Sequence, residues 1–376
     1  MKVVTVIGAR PQFIKSAPVS KYIRTVSDIE ETVIHTGQHY DRNMSDIFFE
    51  ELGIPEPKYN LGVGSGSHGK QTAKMLEGIE EILIQERPDG LIVYGDTNST
   101  LSGALAASKL HIPVIHIEAG LRSYNKLMPE EQNRIITDHI SDILFCPTDT
   151  AVKNLLKEGI QENVYNVGDV MFDSLLINKQ IAEKKMNFEK CLELLELNQE
   201  IKQSVKNLRD IEGQGYYLAT IHRAENTDDI GKLKIILETF EELDLPVIFL
   251  AHPRTVGLIT KHFYGQCYKN TYFIKPVSYL NMLILSSKSN KILTDSGGLQ
   301  KEAYFLRRQC LTLRDQTEWT ETLDGNWNTL CNIDKGLILD VIKHTEPDYN
   351  VLSRNYFGDG YAHKKIVDLM KVHFSK

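Results

Sequence analysis

Three carboxylates stand where β-branched runs end or a helix begins: Asp96 in Gly95-Asp96-Thr97, Glu118 in His116-Ile117-Glu118-Ala119-Gly120-Leu121-Arg122, and Glu130 in Met128-Pro129-Glu130-Glu131-Gln132-Asn133-Arg134. Glu118 closes the apolar run 113–117, where a carboxylate is costly to bury unless it has partners or a chemical task. Asp96 reads equally well as the N-cap of a helix running through 101–110. Glu130 and Glu131 follow a proline at a helix start, where acids offset the helix dipole with no further purpose; that accounts for Glu131 outright and for Glu130 as well as chemistry would. Carboxylates grouped in this way suit the removal and return of a proton.

A complementary set of groups favours anions. Thr294-Asp295-Ser296-Gly297-Gly298 follows another β-branched run and opens a helix over 299–306. Free N–H groups at such a helix start, with glycines that permit close approach, can cradle a phosphate. Glu302, one turn further in, could accept hydrogen bonds from ribose hydroxyls. Taken alone, the stretch reads equally as a glycine turn capped by Ser296 or Asp295. Arg10, His222 and Arg223 tip the balance, because each follows a strand other than the one before this turn and could neutralise a departing diphosphate. Bases in one place and cations in another suit proton abstraction coupled to loss of an anionic leaving group. Gly8 lacks the further glycines of a G-x-G-x-x-G turn and no Walker sequence occurs, which disfavours a dinucleotide cofactor and ATP hydrolysis. Sugar nucleotides remain as the substrate class.

The elements that must carry these groups alternate along the chain. Short strand-like runs at 3–7, 31–35, 90–93, 113–117, 143–145 and 164–167 are separated by helical stretches, and a second series at 216–221, 246–250, 272–274, 291–293 and 310–313 follows a Lys- and Glu-rich helical stretch over 180–207. This is the pattern of parallel sheets with crossover helices. In such sheets functional groups collect beyond the carboxyl ends of strands, which is where all of the residues above fall. The expected organisation is α/β with two domains: 1–170 together with a C-terminal helix at 358–376, carrying the acid–base residues, and 171–357, binding the nucleotide. At 376 residues the chain is long enough for two cores. Its net charge of −7 and pI near 6.0 argue against a nucleic-acid partner. Five scattered cysteines without a C-x-x-C pair indicate neither a disulfide framework nor a zinc site, so no metal is expected. No apolar run is long enough for a membrane span, and the run at 3–7 is too short for a secretory signal, so no membrane partner and a cytoplasmic location are expected.

The motifs quoted above, with Gly8-Ala9-Arg10-Pro11-Gln12-Phe13-Ile14-Lys15, Thr36-Gly37-Gln38-His39, His222-Arg223-Ala224-Glu225-Asn226 and Leu299-Gln300-Lys301-Glu302-Ala303, resemble in order and over almost the whole chain those of the non-hydrolysing UDP-N-acetylglucosamine 2-epimerases. The resemblance implies a GT-B fold, two facing Rossmann-like doubly wound domains with the active site in the interdomain cleft. It also implies a UDP-sugar substrate, no cofactor, a homodimer in most members, and a part in making surface polysaccharide precursors. It places Arg10 and His222 on the diphosphate, Ser296, Gly297 and Gly298 on a phosphate, and Glu302 on the ribose. Asp96, Glu118 and Glu130 match acid–base positions, supported by Lys15, with His222 in the same catalytic set. In that mechanism the C2 proton is removed while UDP leaves C1, and a glycal and UDP stay bound until UDP adds back and a proton arrives on the other face.

Two departures bear on substrate choice. Many members carry Arg-Pro-Glu where this chain has Arg10-Pro11-Gln12, and Thr-Glu-Arg-Pro-Glu where it has Thr317-Glu318-Trp319-Thr320-Glu321. The latter, with the Gly8-Ala9-Arg10-Pro11-Gln12 start and Asn43-Met44-Ser45-Asp46-Ile47-Phe48-Phe49, is similar to the branch acting on UDP-2,3-diacetamido-2,3-dideoxy-glucuronate. Trp319 reads either as a wall of the sugar pocket or as a core residue. Gln38, Arg223 and His252 match a site at which some members bind a second UDP-N-acetylglucosamine as activator, whereas Asp41 and Lys70 depart from it. A GT-B glycosyltransferase would not need the three carboxylates, a silent UDP-sugar-binding protein would have lost one of them, and a hydrolysing epimerase would depart at Arg10-Pro11.

Overall fold

The computed structural model describes residues 1–38, 54, 56–204, 208–211 and 213–374; His39, Asp41 and residues 43–49 lie outside them. The chain divides into two compact units, Met1–Leu176 with Asn355–Lys376, and Ile177–Arg354. The boundary expected at 170/171 lies at the start of the helix Val170–Lys185, and the units part after Leu176, within that helix.

In the first unit the β-branched runs form parallel strands β1 (Lys2–Ile7), β2 (Glu30–His35), β3 (Tyr59–Asn60), β4 (Gly90–Tyr94), β5 (Val114–Ile117), β6 (Ile143–Cys146) and β7 (Val164–Asn166), ordered β3-β2-β1-β4-β5-β6-β7. Val6 of β1 lies opposite Ile34 on one side and Val93 on the other, so both neighbours of the first strand are fully apolar at mid-length. A cluster of Val4, Val6, Leu91 and Val93 packs on Met75 and Ile79 of the helix His68–Glu86 and Ala104 and Ala107 of the helix Asn98–Lys109. The order reverses between β1 and β4, and loops leaving the two strands there diverge into a crevice at their carboxyl ends. The C-terminal helix Ala362–Phe374 packs on the helix Arg10–Ile23.

In the second unit β8 (Tyr217–Thr220), β9 (Val247–Leu250), β10 (Thr271–Ile274), β11 (Lys291–Thr294), β12 (Gln309–Thr312) and β13 (Asn328–Leu330) follow the order β10-β9-β8-β11-β12-β13, again all parallel. Successive residues feed opposite faces: Tyr217, Ala219 and Leu293 join one apolar cluster, Leu218, Ile292 and Cys310 the other. A sheet buried on both faces is what continuous apolar runs predict. Its reversal lies between β8 and β11.

Three elements differ from the sequence reading. Strands β3 and β13 are two and three residues long, too short to show as periodic runs. The helical stretch expected over 180–207 breaks up: the helix Val170–Lys185 is followed by the short helix Phe188–Glu193, which Asn187 caps through a bond from Lys190 N, and the chain then runs irregularly along β10. There Asn198 N donates to Phe273 O at 2.7 Å and Phe273 N to Gln203 Oε1 at 2.9 Å. Covering the open edge of a sheet outweighs helix propensity. Among the described residues no helix is long and apolar enough to cross a membrane.

Candidate active site

Arg10 and Asp96 fall at the reversal of the first sheet and His222 and Ser296 at that of the second, while Glu118 follows β5, the strand beside β4. In the first unit, Arg10 opens the helix after β1, Asp96 follows β4 and Glu118 follows β5. Glu118 is 4% exposed and has a left-handed backbone, φ +73°. The partner that makes this tolerable is Lys15, on the second turn of the helix Arg10–Ile23, whose Nζ donates to Glu118 Oε1 at 2.5 Å. Gly95 makes room for the pair: a Cβ there would lie 3.2 Å from Lys15 Nζ and 3.3 Å from Glu118 Oε1, and its φ is +63°.

Asp96 is no helix cap. Thr97 caps the helix Asn98–Lys109 by accepting from Thr100 N, which leaves the Asp96 carboxylate to take a hydrogen bond from Arg134 Nε at 2.9 Å. Arg134 is 2% exposed and also donates to Glu131 at 2.5 Å, while Asn133 Nδ2 holds the Asp96 carbonyl at 2.9 Å. Glu131 takes further bonds from the backbone N–H groups of Ser123 and Tyr124, a purely structural post. Glu130, one residue before, is exposed and has no side-chain partner among the described residues. The acid–base candidates therefore comprise one buried, ion-paired carboxylate, one partly exposed and arginine-bound, and one open to solvent. Groups in such unlike settings can trade a proton in a fixed direction.

Behind these loops lies a buried network that sequence reasoning passed over. His116 joins Gly95 O to Asp138, and Asp138 also takes bonds from Gly120 N and Arg122, which in turn forms two bonds to Glu158. One sequence signal could have found Asp138: it is an acid in the last turn of the helix Pro129–His139, where the dipole disfavours negative charge.

In the second unit, Ser296 caps the helix Gly297–Phe305 by accepting from Leu299 N, so Gly297 and Gly298 form its first turn. Asp295, fully enclosed, does something else. Its carboxylate accepts from the backbone N–H groups of His222 and Arg223 and from Asn226 Nδ2, fastening the loop after β8 beside the loop after β11. Arg223 Nε returns a bond to Asp295 O at 2.9 Å. His222, with its side chain about half exposed, stands 3.3 Å from Asp295 Oδ1. Two of the expected cations, His222 and Arg223, are thus tied to the loop after β11, and Glu302 lies buried one turn further along the same helix.

Trp319 is 4% exposed, with the ammonium of buried Lys301 3.6 Å from its ring centre. A Cβ on Gly297 would meet Glu318 Oε1 at 2.6 Å and Trp319 Nε1 at 3.6 Å, so the loop after β12 backs the loop after β11 directly. Of the two readings of Trp319, the structure supports the packing residue. Gln38 accepts from Ser99 N and Ser99 Oγ, and His252 caps the helix Pro253–His262 by accepting from Arg254 N. Partial burial, His222 and Arg254 together hold the His252 imidazole below its ordinary pKa.

A family model described as UDP-N-acetylglucosamine 2-epimerase matches residues 21–371. The chain is 52% identical over 375 residues, 99% of each partner, to a Methanococcus maripaludis protein named UDP-N-acetylglucosamine 2-epimerase homolog. It is 44% identical over 376 residues to UDP-2,3-diacetamido-2,3-dideoxy-D-glucuronate 2-epimerase of Pseudomonas aeruginosa, covering 98% of this chain and 99% of the relative. Among solved structures it matches Methanocaldococcus jannaschii UDP-GlcNAc 2-epimerase, in complex with UDP-GlcNAc and UDP, with a TM-score of 0.85 and 41% identity over 99% of this chain and 100% of that one.

Proposed function

This chain belongs to the UDP-N-acetylglucosamine 2-epimerase family, a family of isomerases, and from that premise we propose that it inverts C2 of UDP-N-acetylglucosamine by eliminating UDP and adding it back, without a cofactor. The observation that carries the reading is the buried Lys15–Glu118 pair set against Gly95, next to the arginine-held Asp96. A carboxylate takes the proton from C2; the C2–H electrons form the C1–C2 double bond, and the C1–O pair leaves with UDP. Return of UDP to C1 and delivery of a proton to the opposite face of C2 complete the inversion. Two faces require two proton carriers, and Asp96, Glu118 and Glu130 supply them, with Lys15 fixing Glu118.

In the second unit Ser296, Gly297 and Gly298 take a phosphate at the helix start, Glu302 holds the ribose, and His222 offsets the charge that develops on the leaving diphosphate. The reading carries with it a homodimer, a cytoplasmic location and the supply of a surface polysaccharide precursor; these rest on the family alone, and sedimentation tests the first. Arg223 and His252, both of the second unit, would hold a second UDP-N-acetylglucosamine, giving sigmoidal rates.

A second substrate has a specific observation in its favour: the 44% identity to the Pseudomonas aeruginosa enzyme named for the diacetamido-glucuronate. One experiment separates the possibilities. Turnover of each UDP-sugar in D2O should place deuterium at C2 of the product, and the sugar with the higher kcat/KM is the substrate. Retention of the original hydrogen at C2 would sink elimination as the mechanism.

A further inference from the structure

His116 and Asp138 are wholly enclosed in the first unit, and the reading above gives neither a task. His116 lies in β5 two residues before Glu118, and its Nε2 is 2.8 Å from the carbonyl oxygen of Gly95. A carbonyl can only accept, so Nε2 carries hydrogen, and the other ring nitrogen faces Asp138 Oδ1 at 2.7 Å. The second Asp138 oxygen accepts from Gly120 N at 3.1 Å and from Arg122 Nη1 at 2.6 Å. One carboxylate thereby fastens both acid–base loops: through His116 it holds Gly95, which precedes Asp96, and directly it holds Gly120, two residues after Glu118.

Those loops need fastening. Gly95, Glu118 and Gly120 all have left-handed backbones, with φ of +63°, +73° and +80°. Such a conformation at a non-glycine residue persists only where its surroundings impose it. Burial would push the Asp138 carboxyl up, but its bonds to His116 and the nearby charges of His116 and Arg122 outweigh burial and hold it below the usual carboxylate range. The helix gives Asp138 no local reason to be there, since its last turn disfavours an acid.

We propose that Asp138, acting through His116, is a positioning residue that sets Asp96 and Glu118 for proton transfer at the sugar, an inference that rests on the epimerase reading. Asp138→Asn keeps the shape and removes the charge that two cationic or N–H donors share with Gly120. It should lower kcat by about 100-fold, the scale of a small misplacement of reacting groups, with KM and the calorimetric affinity for UDP near wild type. His116→Gln, which can still offer a donor toward Gly95 O, should keep more kcat than His116→Phe, which offers none. Ile79→Ala, a core truncation elsewhere in the same unit, supplies the comparison for plain loss of stability and should keep kcat.

Wild-type kcat in Asp138→Asn, or equal kcat in the two His116 variants, would overturn the proposal; if Asp138→Asn does not fold, the His116 pair decides. Wild-type enzyme that leaves the C2 hydrogen unexchanged on both UDP-sugars would overturn the elimination mechanism and this role with it. Exchange by the wild type beside an unimpaired Asp138→Asn would overturn this role alone.

Discussion

Glu118 would be an expensive residue at the end of a buried strand without Lys15, and the two are best understood as a unit. Removing one member of a buried ion pair strands the other charge, so Lys15→Met should cost about 3–5 kcal/mol of unfolding free energy. Lys15→Met combined with Glu118→Gln should recover much of that loss, because no uncompensated charge remains; a double-mutant cycle by chemical denaturation reads the difference. If Lys15→Met alone proved neutral, Glu118 would have another partner of equal weight. Gln12 shows a related economy. It is 1% exposed, its Oε1 accepts from Gly8 N and Ala9 N, and its Nε2 donates to Tyr94 O and Thr100 Oγ1. An ionised glutamate in its place could accept the first two bonds but could not donate to Tyr94 O. The Arg-Pro-Gln departure was visible in the sequence; that Gln12 braces the turn beneath β4 was not, because its partner Tyr94 lies 82 positions away.

Among the elements, the helix His68–Glu86 ends on a carboxylate that ties two strands together. Glu86 takes Lys2 of β1 and, just before and within β3, Lys58 and Tyr59, and these bonds hold its pKa down at about 2. A carboxyl depressed in the folded state contributes stability fully present above its unfolded value of 4.5 and lost as pH falls from there toward about 2. Stability of the first unit should therefore drop through that acid window, and Glu86→Gln should flatten the drop; an unchanged acid limb in Glu86→Gln would show that other carboxylates dominate it. The two-residue β3 was not legible as a strand, since so short a segment has no period to show. The irregular path after the helix Phe188–Glu193 was hidden for a different reason: its Lys- and Glu-rich composition favours helix, and only the open edge of β10 makes extended backbone the better choice.

At the scale of the molecule, each unit has its own parallel sheet and its own apolar clusters, and the loop after β11 that is proposed to take a phosphate belongs to 177–354. UDP at about 100 times its Kd should then raise the unfolding free energy of that unit by about 2.7 kcal/mol. Hydrogen exchange should show the added protection in β8 and β11, the strands whose loops carry Arg223 and Ser296; protection confined to β1, β4 and β5 would move the nucleotide to the first unit. The sequence by itself determined the two runs of alternating strands and helices and the strand ends at which Arg10, Asp96, Glu118, His222 and Ser296 stand. It could do so because period, glycine turns and helix starts are local properties, readable within a few residues. Only the tertiary structure decided that Glu118 answers to Lys15 across 103 positions, that Asp96 belongs to Arg134, that Asp295 fastens a loop instead of capping a helix, and that Trp319 packs beneath Lys301. Those choices depend on which buried groups meet once the sheets have formed, and a buried charge takes the partner that packing brings within reach, whatever its distance along the chain.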